Sequence, residues 1–439
     1  MLPSRKPVVA AAAAVLGVAL VAALSGCSSS GSADSSDGSS ISYQVDNSPG
    51  GVKGGKELIA AFEKANPSIK VSLNPRPQGS DGDNYVKTRL STGEMDDVFS
   101  YNSGSLLQAL QPDKTLVDLS DQSWVKDLDP QYKKVVSTDK GLYGAPTGPS
   151  FAGGIMYNKK VYAKLGLSVP TTWDQFISNS EKIKAAGGVA PIIQTYGDPW
   201  SSQLFVLGDF ANITAQDPDW ATKYTANKEK FTDQPGFSGF QYLQDVHDKG
   251  LLNADYASAT NVQGLTMLAE GKGAQYPMTT NVIGNIAQSN PGQINDIGVF
   301  PIPAEKASDT RLSIWEPGGL YIPKTTTGAK LTAAKKFVTF ANSKEGCAIQ
   351  SDSGTPAGPF VISTCTLPAD APALIKDEQQ YIDAGKASPA LEFVSPIKGP
   401  NLDKIGVQVG SGITSAKVGA KQYDDDLVQQ AQQLGIKGW

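Results

Sequence analysis

Histidine is the side chain most often recruited for proton transfer at neutral pH. It occurs once in this 439-residue chain, at His247. An imidazole-based catalytic relay or zinc site therefore has almost nothing to draw on. His247 lies in FQYLQDVHDKGLL beside Asp245 and Asp248, and a solvated helical histidine accounts for it. The three cysteines suggest no reactive thiol. Cys27 ends a long apolar run, and Cys347 and Cys365 form a leftover pair. That pair either bridges or stays as two buried thiols. The 43 acidic residues leave carboxylate chemistry open. A glycosidase would need two carboxylates flanking the scissile bond, and no glycosidase motif surrounds any of them. In DNSPGGVKGGKE, Gly50, Gly55 and Lys56 match most of a phosphate-binding loop. Glu57 stands where that loop needs Ser or Thr for magnesium, and its charge would repel phosphate. A polar loop lining a cleft fits the stretch better. The acidic trio Asp424–Asp426 reads as a solvated helix start.

The elements that must position such residues begin with an export pattern. Arg5 and Lys6 precede an Ala/Val/Leu run from Val8 to Leu24, short for a membrane span and typical of a signal peptide. Leu24-Ser25-Gly26-Cys27 resembles the lipobox of bacterial lipoproteins. That resemblance implies cleavage before Cys27 and acylation of its sulfur and new amino terminus, which would anchor the chain on a membrane face. The Ser/Gly/Asp stretch that follows has no core-forming residues and reads as a tether. Beyond it, Ile41–Val45 reads as a strand, Leu58, Ile59 and Phe62 as one helix face ended by Asn66-Pro67, and Ile69–Leu73 as a second strand. Further helices are signalled at Thr172–Phe176 and Leu331–Phe340. Strand, helix, strand at this spacing opens an α/β sheet. The net charge of −5, with no basic stripe, argues against nucleic acid, and 439 residues can bury two or more cores.

Several segments, in order, resemble the family 1 extracellular solute-binding proteins of bacterial ABC importers, the group that contains maltose-binding protein. They are ELIAAFEKANPSIKV, DDVFSYNSGSLLQAL, YGAPTGPSFAGGIMYNKKVYAKLGL, VPTTWDQF, MLAEGKGAQYPMTTNVIGNI, GVFPIPAE and PGGLYIPKTTTGAKLTAAKKFVTFANSKEG, followed by a polar helical C-terminus. The resemblance implies a two-lobed α/β fold, each lobe a mixed or parallel sheet flanked by helices. The lobes would be joined by a hinge crossed near 146–151, 300–303 and 342–347. Residues 1–26 would be the signal peptide and 27–40 the tether. The first lobe would take 41–149 and 302–343, and the second 150–301 and 344–439. The implied function is capture of an oligosaccharide by hinge closure and its delivery to permease subunits. The chain would act as a monomer anchored on the extracellular membrane face through Cys27, with no enzymatic activity, cofactor or metal. An envelope-tethered glycosidase and a receptor for a non-sugar solute are the alternatives.

A neutral saccharide offers apolar C–H faces and a rim of hydroxyls, so its site needs flat aromatic platforms with carboxylates and amides around them. The matched segments supply candidates. Asp46 and Asn47 end the first strand. Tyr101 and Asn102 match positions where family members contact sugar, and Ser150 and Phe151 lie at the first crossing. Asp198 and Trp200 match a carboxylate and an aromatic of maltose-binding relatives. Asn281 stands where many relatives carry a stacking tryptophan, which weakens a maltodextrin reading. Trp315 and Glu316 follow the second crossing, and Glu392 and Phe393 lie in a C-terminal segment that closes over ligand in relatives. Trp173 matches the family's helix-start tryptophan and is read as structural.

Overall fold

The computed structural model describes residues 39–354, 358–367, 369 and 371–439. The signal peptide, Cys27 and nearly all of the tether lie outside the described residues. The last two tether positions, 39 and 40, already belong to the first strand. Strand β1 (Ser39–Asp46) runs parallel to β2 (Ile69–Arg76) in a register that sets Asp46 beside Arg76 at their carboxyl ends. On its other side β1 pairs in parallel with β3 (Val98–Tyr101).

Helix α1 (Pro49–Ala65) links β1 to β2. The Ser48 hydroxyl accepts the Gly51 N–H at 3.0 Å, and Pro49 occupies the first turn, where its missing N–H costs nothing. Gly55, Leu58 and Phe62 form its buried face. The glycine stretch expected to be a loop is thus the first two turns of a helix, because this cap starts the helix early. The glycines let it lie close to the sheet: a Cβ on Gly51 would meet Asp46 Oδ1 at 2.9 Å, and one on Gly55 would meet Leu73 Cδ1 at 2.9 Å. Helix α2 (Gly79–Thr92) follows β2.

After β4 (Ala145–Pro146) the chain crosses into a second sheet. Its centre is β5 (Phe151–Asn158), flanked by β7 (Gly273–Thr279), with β6 (Ala190–Ile192) beyond. On the other edge of β5, β8 (Ile297–Phe300) pairs with residues 155–158, and β9 (Leu312–Trp315) pairs with 151–153. Only β10 (Gly319–Tyr321) returns to the first sheet, between β3 and β4. The second crossing therefore falls at 316–318 rather than 300–303. The chain leaving β8 turns back onto the same edge of β5 before it leaves the second sheet.

The third crossing is also later than expected. Val361 and Ile362 are buried in the first lobe's core, and Phe360 bridges to Pro149. Leu374 and Ile375 are buried in the second lobe, where β11 (Ala387–Pro389) pairs with β9. The return lies between Ile362 and Leu374, after the Cys347–Cys365 disulfide. Each lobe has its own core. Phe62, Phe99, Tyr321 and Phe337 belong to the first, and Trp173, Phe176, Trp220 and Tyr423 to the second. Trp173 stacks on Tyr242 with ring centroids 3.8 Å apart, consistent with its structural reading.

The acidic trio is not a solvated helix start. It lies inside a helix spanning Ala416–Gln433, where Asp424 and Asp426 are buried. Asp424 accepts the Phe231 and Thr232 N–H groups, and Asp426 accepts that of Asn401, so both clamp loops onto the helix.

Candidate ligand-binding cleft

The carboxyl ends of β1, β2 and β3 face a cleft between the two sheets, where open α/β folds place their ligands. Two connected cavities of about 340 and 440 Å³ fill it, sharing Asp46, Arg76, Asn102, Phe151, Trp315 and Glu392 in their walls. That is room for an oligosaccharide of a few units.

One wall is aromatic. Phe151 on β5 and Trp315 on β9 are direct cross-strand partners. Their rings are nearly parallel, with 10° between planes and centroids 6.3 Å apart. Trp200, on a short 3₁₀ turn (Pro199–Gln203), lines the second cavity, and its buried indole N–H has no partner among the described residues. Phe393 lines the first cavity.

Polar and charged groups from both lobes line the rest of the cleft. Arg76 spends its guanidinium on the Pro77 and Ser100 carbonyls and lies 5.6 Å from the Tyr101 ring centre. The Tyr101 hydroxyl lies beside Asp83, and burial, with that carboxylate adding to it, pushes it well above the usual phenol range. Burial also raises Asp83, against the opposing pull of Tyr101, Lys398 and Arg76. Glu316, on the second crossing, is pushed up to about 7 by burial, with Asp129 contributing. Asn102 and Asn281 are exposed toward both cavities. Glu392 accepts the Trp315 indole N–H at 3.0 Å through Oε1 and pairs through Oε2 with Lys398.

Three candidates lie outside the cleft walls. Asn47 is exposed and accepts from Gln78 at 3.3 Å. Ser150 is buried and donates to the Pro359 carbonyl at 3.2 Å, tying the first crossing to the segment ahead of the third. Asp198 accepts the Asn261 N–H at 2.7 Å, satisfying the first N–H of the helix Asn261–Ala269, which Thr260 caps. Sequence reasoning passed over Arg76, Asp83, Lys398 and Asp403. A strand-end rule would have found Arg76, since it ends β2 opposite Asp46. The other three carry no periodic or motif signal. Among the described residues, no cluster of three or more His, Cys, Asp or Glu could hold a metal ion.

The lobes touch across the cleft. Ser80 of α2 donates to Asp403 at 2.8 Å. A Cβ on Gly79 would meet Trp200 Cβ at 3.3 Å, and one on Gly50 would meet Asn285 Oδ1 at 3.3 Å. Gly104, at φ +66°, lets the Glu392 turn approach so closely that a Cβ there would stand 2.3 Å from the Glu392 carbonyl oxygen.

Two α/β lobes, three chain crossings between them and an aromatic-walled cleft at the sheet ends define a bilobal solute receptor. The chain belongs to the bacterial extracellular solute-binding protein family, whose sequence model matches residues 48–346. It is 26% identical over 303 residues to the melibiose/raffinose/stachyose-binding protein MelE of Bacillus subtilis (strain 168), covering 66% of this chain and 68% of that one. It is 25% identical over 290 residues to the multiple sugar-binding protein of Streptococcus mutans serotype c, covering 65% and 67%. Among solved structures, a chitin oligosaccharide binding protein superposes with a TM-score of 0.78 at 19% identity, over 90% of this chain and 100% of that one. This last likeness concerns the fold.

Proposed function

We propose that this protein captures a neutral oligosaccharide of two to four units in the cleft and delivers it to the permease of an ABC importer. The observation that carries the reading is the presence of the Phe151–Trp315 platform and Trp200 in the same cavities as a set of polar side chains. Asp46, Asn102, Asn281 and Glu316 would hold hydroxyls, while the rings take the apolar sugar faces. The three crossings act as the hinge. Driving such a hinge from mostly open to mostly closed takes ~5.5 kcal/mol of differential binding, which contacts from both lobes can supply. The relatives whose names mention melibiose, raffinose, stachyose and multiple sugars support the saccharide class.

The protein binds without turnover. Glu392, whose carboxylate bonds the Trp315 ring, is committed to Trp315 and Lys398 and is poorly placed to act as acid or nucleophile. Acylation of Cys27 holds the monomer at the outer membrane face, and Cys27→Ser sends it into the medium; a variant that stayed with the membrane would remove the anchor. Calorimetry against melibiose, raffinose, stachyose, chitin oligosaccharides and maltodextrins tests the main reading. Saturable 1:1 binding at micromolar concentration or below is expected, with the sugar recovered intact. Silence across the panel, with heat from a non-sugar solute, overturns it.

A further inference from the structure

Trp315 is held on three sides. Beneath its ring lies Gly153 of β5, where a Cβ would stand 2.2 Å from the indole. Phe151 lies nearly parallel beside it. The indole N–H donates to Glu392 Oε1 at 3.0 Å. Glu392 is fixed in turn: only 7% of it is exposed, and Oε2 pairs with Lys398, whose side chain is 12% exposed. The turn carrying Glu392 is tied to the platform strand, because the Ala390 N–H donates to the Ile314 carbonyl at 2.9 Å. A carboxylate this enclosed, with both oxygens engaged, offers little to a ligand hydroxyl. It is well placed to fix the plane of the ring beside it.

We infer that Glu392 is a positioning residue: held by Lys398, it presets the Trp315 indole as a sugar platform and takes no hydroxyl itself. The inference rests on the saccharide reading of the cleft. A ring free to rotate must be ordered anew at each binding event, a cost of roughly two- to tenfold in affinity. Removing the carboxylate should therefore weaken binding only through Trp315.

The test has a ligand-free arm and a binding arm. In protein labelled with ¹⁵N-tryptophan, the Trp315 indole resonance is the peak missing from Trp315→Phe. Glu392→Ala should shift that peak upfield, and Glu392→Gln, which keeps an acceptor oxygen, should leave it near its original place. In raffinose titrations, Glu392→Ala should lose roughly two- to tenfold in affinity, Glu392→Gln should recover most of it, and Glu392→Ala should cost nothing further in the Trp315→Phe background. If Glu392→Ala does not fold, Glu392→Leu with Lys398→Met removes the acceptor without stranding a buried charge, and the same outcomes apply. An unmoved resonance, or losses that add fully in the Trp315→Phe background, overturn the inference. The resonance needs no ligand. A wild-type protein indifferent to every saccharide would thus fail the saccharide reading while the peak still decided the positioning role.

Discussion

Glu378 is an acid on which the surrounding fold has a measurable grip. It is 1% exposed beneath the first hinge crossing, accepts from Thr280, and is pushed by burial to about 8. A folded-state pKa above the unfolded value means that the fold binds the proton more tightly. The stabilisation is complete below about 4.5 and is lost as pH rises through about 8, at ~1.4 kcal/mol per unit. Glu378→Gln should flatten the fall in melting temperature between those limits; an unchanged slope would show that the carboxyl is ionised throughout. In the cleft, Trp200→Ala should lower saccharide affinity more than about tenfold while leaving the far-UV spectrum unchanged. Equal affinity in calorimetry would remove Trp200 from the platform role. Trp200, Tyr101, Phe151 and Trp315, which line the cleft, were reached through the resemblance of their segments to family positions and to the hinge it implies. Asp198 and Ser150 were not separable from them, since sequence does not say whether a polar group faces a cavity or a backbone N–H or carbonyl. Lys398 was invisible because charge alone has no period, whereas Arg76 was within reach as the end of the second strand.

Among the elements, the strand–helix–strand opening was legible from its apolar spacing and the Asn66-Pro67 stop. The start of α1 was not, because four glycines and a proline within twelve residues read as loop until Ser48 is seen to cap them. The return of β9 to the edge of β5 was equally hidden, since a strand's partner is chosen by long-range pairing rather than by its own residues. Gly104 shows how one backbone position can govern contact between lobes. Its φ of +66° alone would cost a side chain ~1–2 kcal/mol. A Cβ there would also collide with the Glu392 carbonyl across the cleft. Gly104→Ala should therefore reduce saccharide affinity by a larger factor than chemical denaturation assigns to its loss of stability. Affinity that fell no further than stability would mean that the Glu392 turn does not close against this loop.

At the scale of the molecule, each lobe buries its own apolar clusters and the chain crosses between lobes three times, so a hinge is the cheapest motion available. The two-lobed plan was legible as an order of segments, each weak alone. Its later boundaries were not, because the segment bearing Cys347 and Cys365 packs with the first lobe before the chain returns to the second. The contacts of Ser80 with Asp403 and of Gly79 with Trp200 are among those an open cleft would lose. The most direct test of capture by closure is small-angle X-ray scattering of the protein alone and saturated with the tightest-binding saccharide from calorimetry. A smaller radius of gyration with sugar bound is the predicted result. Superimposable curves at proven saturation would contradict the account.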